Sequence, residues 1–186
     1  MVKRNRKLFL IGFPGSGKTT IGPLVARRLK VAFADIDTMI EKKAGCSISE
    51  IFAAKGEKYF RHLEQETVKE AIESTIGHGV IALGGGAFEN PSIRDMVAHN
   101  GHVVYLSCDI TEICRRLEQK TDRPLLQVNP KPGTTLRTAR LRRIAKLFTA
   151  RKLNYNRADW TISTTRRSPL EAANMIVARF LKESKA

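Results

Sequence analysis

The stretch Gly12-Phe13-Pro14-Gly15-Ser16-Gly17-Lys18-Thr19 decides how the rest of this chain is read. It matches the phosphate-binding pattern GxxxxGK[ST], and it stands in the right setting. The apolar run Lys7–Ile11 before it has the length of a buried strand. Thr19–Lys30 after it carries Ile21, Leu24, Val25, Ala26 and Leu29 as the apolar stripe of a helix. Glycines let the backbone amides turn inward to a phosphate, and the helix N-terminus adds a favourable field. Lys18 supplies a point charge for the β- and γ-phosphates, and the Thr19 hydroxyl is a ligand suited to Mg²⁺. A nucleoside triphosphate site is therefore expected here.

Outward from that loop, strands and helices alternate. Val31–Ile36, Gly79–Leu83, His102–Ser107 and Trp160–Ser163 read as further strands. Helices are expected at Ser47–Ala54, Glu57–Ile76, Pro91–His99, Thr111–Gln119, Leu136–Asn154 and Pro169–Lys182, with a loop over Thr121–Thr135. Such alternation predicts an α/β fold with a parallel sheet covered on both faces. No repeat, low-complexity tract or linker divides the 186 residues, so one domain spanning 1–186 is expected.

Composition narrows the class. With 42% hydrophobic and 27% charged residues the chain is neither disordered nor fibrous. Its apolar runs, such as Leu8–Ile11, fall far short of the roughly 20 residues that span a bilayer. Met1–Lys7 is basic, but no apolar signal core follows, so a cytoplasmic location is expected. Cys46, Cys108 and Cys114 lack metal or disulfide spacing and read as reduced thiols. His62, His78, His99 and His102 show no ligand spacing either, and Trp160 reads as core. The net charge is +15. From Arg123 to Ala158 there are ten Lys or Arg and no Asp or Glu, which suits a polyanion such as a nucleotide, a nucleic acid or an anionic surface.

Three further motifs bear on chemistry. Asp35-Ile36-Asp37 ends the second strand, where alternation puts both carboxylates on one side at the ligand-binding edge. The competing reading is a helix cap before Met39-Ile40. In Phe60-Arg61-His62-Leu63-Glu64 the i,i+3 spacing lets Glu64 steady Arg61, either as a ligand for a planar carboxylate or as a surface ion pair. Gly84-Gly85-Gly86 follows a strand and is either a tight turn or a place where backbone must approach a ligand. The strand Val80–Leu83 lacks the Asp-Glu ending of a nucleic-acid motor, which leans toward a small-molecule kinase.

Together with Thr121-Asp122-Arg123-Pro124-Leu125-Leu126, these motifs occur in the order and approximate spacing of shikimate kinases, and the resemblance covers nearly the whole chain. It implies a three-layer α/β/α P-loop fold with a central five-stranded parallel sheet and a mobile lid at about 121–136. It implies phosphorylation of the 3-hydroxyl of shikimate by ATP with Mg²⁺, a step toward chorismate and the aromatic amino acids. Carried over by residue, Lys18 and the backbone amides of Gly15, Ser16, Gly17, Lys18, Thr19 and Thr20 would hold the ATP phosphates, Thr19 would bind the metal and Asp35 would lie near it through water. Asp37 would orient and deprotonate the attacking hydroxyl. Arg61 and Arg151 would clamp the shikimate carboxylate, with Gly84, Gly85 and Gly86 near the ring hydroxyls. Arg123 would swing onto the phosphates, Arg116 would stack on adenine, and Arg167 with Pro169 would flank the base.

The resemblance is incomplete around Arg151-Lys152-Leu153-Asn154-Tyr155, where the family pattern is Arg-x-Pro-Leu-Tyr, so Leu153 replaces proline and Asn154 replaces leucine. The basic stretch with Arg137, Arg140, Arg142 and Arg143 reads either as a solvated helix face or as extra affinity for ATP or another polyanion. The expected partners are ATP and shikimate, with no nucleic acid and no membrane, and a monomer is expected. A related gluconate-type kinase is the nearest alternative. A non-catalytic nucleotide- and nucleic-acid-binding protein is a more distant one, and it would bind with steep salt dependence.

Overall fold

The computed structural model describes residues 7–74, 78–118 and 134–183. Strand alternation builds its layers. β1 (Lys7–Ile11) is fully buried. Leu8 and Leu10 point to one face of the sheet, while Phe9 and Ile11 point to the other. The neighbouring strands β3 (Gly79–Ala82) and β4 (Gly101–Ser107) repeat the pattern. Val80, Val104 and Leu106 join the first face, and Ile81, Val103 and Tyr105 the second. Strands buried on both faces are near-continuously apolar, as expected for a parallel sheet.

With edge strands β2 (Ala32–Asp35) and β5 (Trp160–Ser163), the sheet has the order β2-β3-β1-β4-β5, and every pairing is parallel. The expected five-stranded architecture is present. One face is covered by α1 (Lys18–Leu29) and α7 (Pro169–Glu183), which contribute Ile21, Val25, Ile176 and Phe180. The other face packs against α2 (Ile36–Ala44), α3 (Ile48–Ser74), α4 (Pro91–Asn100), α5 (Ile110–Glu118) and α6 (Leu136–Tyr155). The chain leaves β1 toward β2 and β3, then adds β4 and β5 on the opposite side. The carboxyl end of β1 therefore lies at a reversal of strand order, where open α/β sheets bind ligands.

Two expectations need correction. The second strand stops at Asp35, and Ile36 opens a helix that periodicity did not reveal. The Asp35 carboxylate caps it, accepting from the amides of Asp37 and Thr38 at 3.1 and 3.5 Å. Strand alternation therefore does not place Asp37; a helix turn does. The cap competing with the functional reading is Asp35, not Asp37. Elsewhere the expected helices at 47–54 and 57–76 are one element kinked at Gly56, whose φ of 77° breaks the helix where the expectation put a gap. Trp160 is buried, stacked on His102 with ring centroids 4.7 Å apart, in keeping with its core assignment. Among the described residues, no helix is long and apolar enough to cross a membrane.

Candidate active site

A cleft of about 550 Å³ opens at the carboxyl end of β1. Its lining includes Gly15, Gly17, Lys18, Thr19, Thr20, Asp35, Asp37, Arg116, Arg167 and Pro169, ten of the positions singled out from sequence. Gly17 is the N-cap of α1 with φ 104°, a left-handed conformation that favours glycine and turns the first helical amides toward the cleft. Lys18 Nζ donates to Gly12 O at 2.8 Å and lies 3.4 Å from Phe13 O. These contacts hold the ammonium across the loop where a phosphate would sit. Ser16 enters the expectation through its backbone amide. Its hydroxyl is buried with no hydrogen-bond partner among the described residues, and its amide donates to Phe13 O, so its side chain faces the protein rather than the cleft.

The Thr19 hydroxyl donates to Asp35 Oδ2 at 3.0 Å while Asp35 Oδ1 caps α2. Burial, reinforced by Asp37 nearby, raises the Asp35 carboxyl above its ordinary range, and Thr19 and Lys18 offset this only in part. A hydroxyl and a carboxylate side by side form a hard oxygen set. That set fits Mg²⁺, a cation that keeps several waters and takes one or two protein ligands plus phosphate oxygens. Among the described residues no cluster of three or more His, Cys, Asp or Glu competes for a metal.

Arg116 joins the base side of the cleft to the phosphate loop. Its guanidinium donates to Glu112 Oε1 (2.8 Å), Gly15 O (3.0 Å) and Thr164 O (3.3 Å). Hydrogen bonds so directed along its edge hold the plane fixed and leave its faces for stacking. Glu112 also pairs with Arg115 at 2.8 Å, and these arginine hydrogen bonds lower its carboxyl to about 2. Glu112 and Thr164 were not singled out from sequence, although Glu112 stands at the i,i+3 and i,i+4 spacing that announces such pairs. Arg167 donates to Ser163 O at 3.0 Å at the mouth of the cleft.

On the far side of Asp37 the triple glycine explains itself. A Cβ on Gly84 would lie 2.6 Å from Glu64 Oε1 and 2.7 Å from Asp37 Oδ1. One on Gly86 would lie 2.9 Å from Arg61 Nη2 and 3.2 Å from Arg151 Nη2. The glycines thus admit four charged side chains from α2, α3 and α6 to one spot. Arg61 donates to Glu64 at 2.8 Å and to Glu57 at 3.1 Å. Glu64 is only 1% exposed, and burial raises its carboxyl despite the opposing pull of Arg61.

Arg151 is buried although the residues after it depart from the family pattern. It donates to Gly85 O at 2.9 Å, and its guanidinium lies 5.7 Å from the Phe13 ring centroid. The Tyr155 hydroxyl, one helical turn on, donates to the same carbonyl. Leu153 is 78% exposed, so its side chain points away from the site. Tyr155 and Phe13 had no assigned role in the sequence reading, since pairs this distant in the chain have no periodicity to betray them. Arg123 and the expected lid at 121–136, except 134–136, lie outside the described residues.

Along the basic helix one arginine is solvated, as one of the two readings has it, while others turn toward α5. Arg140 donates to Leu117 O at 3.4 Å and, with Arg137, lines an apolar cleft of about 300 Å³ against α5, while Arg142 is exposed.

Comparison with known proteins gives a consistent result. The shikimate kinase family model matches residues 14–182. A shikimate kinase from Chlorobium limicola is 38% identical over 187 aligned residues, covering 98% of this chain and 92% of its own. One from Thermobifida fusca is 43% identical over 168 residues, covering 90% of each. The solved shikimate kinase from Acinetobacter baumannii in complex with shikimate superposes with a TM-score of 0.86 at 31% identity, covering 96% of this chain and 94% of that one.

Proposed function

The chain belongs to the shikimate kinase family, and we propose that its cleft transfers the γ-phosphoryl group of ATP to the 3-hydroxyl of shikimate in the manner set out here. The observation that carries this reading is the convergence at Gly84–Gly86. Two arginine guanidiniums there close on Gly86, 2.9 and 3.2 Å from where a Cβ would lie, with Asp37 and the phosphate loop alongside. Arg61 and Arg151 form a clamp for a planar carboxylate, which is the recognition that guanidinium groups perform best. Asp37 then faces a ring hydroxyl. It accepts that hydroxyl's hydrogen bond, aligns the oxygen for in-line attack and takes its proton.

On the other side Lys18 and the first-turn amides of α1 hold the phosphates, with Gly15, Gly17 and Thr20 shaping the loop around them. Arg116 stacks on the base between Arg167 and Pro169. Mg²⁺, held by Thr19 and Asp35, would neutralise phosphate charge. Arg123 serves the transferring group from the segment that follows α5. Positioning and charge stabilisation are what phosphoryl transfer asks of a protein, and this arrangement supplies both.

The reading includes a cytoplasmic monomer acting on ATP and shikimate without nucleic acid. It is tested by a coupled ADP-release assay with Mg·ATP, with shikimate as acceptor and gluconate as control. Shikimate-dependent turnover supports it. Silence with shikimate but turnover with gluconate would transfer the clamp to the other acid. ATP binding without either turnover, joined to salt-sensitive nucleic-acid binding, would support the non-catalytic alternative.

A further inference from the structure

The turn that follows the triple glycine is tied down on three sides. Residues Ala87–Glu89 form one turn of 3-10 helix. Arg94 of α4 donates to Phe88 O at 2.9 Å and to Glu89 O at 2.8 Å. Asn90 caps α4 through Ser92 and donates to Gln65 of α3, the helix that carries Arg61, at 3.1 Å. On the third side Asn154 Nδ2 of α6 donates to Glu89 Oε2 at 2.9 Å. Glu89 Oε1 is buried and has no hydrogen-bond partner among the described residues.

A carboxylate with one oxygen buried and unsatisfied is costly, so the neutral donor that Asn154 supplies to the other oxygen, the only one among the described residues, matters. Asn154 stands three residues after Arg151, on the same side of α6 and next to Tyr155. We propose that the Glu89–Asn154 hydrogen bond is a positioning device for acceptor recognition, fixing α6 against the 87–89 turn so that the Arg151 guanidinium meets Gly86 and Arg61. Ile144 and Phe148 pack α6 on the core, and at its last turn Arg151 and Tyr155 both donate to one carbonyl, Gly85 O. The bond to Glu89 adds a polar anchor off that point, which sets how this last turn is rotated against the 87–89 turn. The negative charge of Glu89 also helps keep the buried Tyr155 hydroxyl protonated, and thus a donor, although burial is the larger cause. This inference rests on Arg151 as a carboxylate ligand, as proposed above.

The test compares KM for shikimate, KM for ATP, kcat and Tm in the wild type, Asn154→Ala, Asn154→Asp and the double variant Glu89→Gln with Asn154→Asp. In the double variant a glutamine amide donates to an aspartate, restoring the bond with its polarity reversed. The expected result is a shikimate KM raised roughly 10-fold in Asn154→Ala and further in Asn154→Asp, where two carboxylates face each other. The ATP KM should stay within about twofold, and the double variant should recover most of the loss. If Asn154→Asp does not fold, Asn154→Ala decides by the same split between the two KM values. A shikimate KM unmoved in Asn154→Ala, both KM values rising together, or no recovery in the double variant would overturn the proposal. Absence of shikimate turnover in the wild type would instead remove the Arg151 assignment, and this inference with it.

Discussion

On the nucleotide side of the cleft the protein offers mainly main chain. A left-handed glycine cap, first-turn amides and the carbonyls of Gly12, Gly15 and Thr164 set the positions of Lys18 and Arg116. On the acceptor side it offers side chains from α2, α3 and α6, packed around three glycines. The first surface suits a group common to all nucleoside triphosphates, because backbone amides read a phosphate without regard to what it carries. On the proposed reading the second is selective, because a clamp of two guanidiniums and a carboxylate would accept only a ligand with its charge and hydroxyl correctly spaced. A change on one side should therefore leave affinity on the other intact.

The largest effect should come where the two sides meet. Asp37→Asn removes the proton acceptor and is expected to lower kcat by ~10²–10⁴-fold, with ATP affinity by calorimetry unchanged. Near-normal kcat would take Asp37 out of that role. Next, Gly86→Ala pushes a methyl against the Arg61 and Arg151 guanidiniums. The shikimate KM should rise about 10-fold while the ATP KM holds, a loss of about 1.4 kcal/mol. Gly85→Ala gives the control for stability. Its methyl would lie 2.6 Å from the rigid Pro14 ring, so it should lower stability by about 1–3 kcal/mol in chemical denaturation. In mirror image, Arg116→Ala should raise the ATP KM by roughly 10-fold and spare shikimate.

The smallest effect concerns pH. The folded Glu112 carboxyl lies near 2 against an ordinary 4.5. Its stabilising contribution is therefore fully present above about 4.5 and is lost as pH falls toward 2. Glu112→Gln should make Tm slightly lower at neutral pH and flatten its decline across that interval. An unchanged acid profile would show the ion pair to be idle.

The same contrast explains what the sequence disclosed. The nucleotide side is contiguous, so Gly12–Thr19 announced the loop, the strand before it and the helix after it. The alternation of Leu8, Phe9, Leu10 and Ile11 between the two cores was equally legible. Helix α2 was hidden because its cap, Asp35, is also the last residue of a strand, and nine residues are too few for a clear period. Arg61 and Glu64 could be paired at i,i+3. The Asn154–Glu89 bond, spanning 65 residues, and the shared use of Gly85 O by Arg151 and Tyr155 exist only once α6 is docked. A motif names residue types and not how each is turned: the Ser16 hydroxyl is buried while its amide donates to Phe13 O, which the pattern alone does not announce.

The central claim, that α6 brings Arg151 to the acceptor's carboxylate, is tested most directly by measuring kcat/KM of the wild type and Arg151→Ala with shikimate and with its methyl ester. The account predicts a loss of about 100-fold in Arg151→Ala on shikimate and a far smaller loss on the ester, which has no charge for the guanidinium to meet. Equal losses on both acceptors would mean that Arg151 only supports the backbone at Gly85, and would contradict the claim.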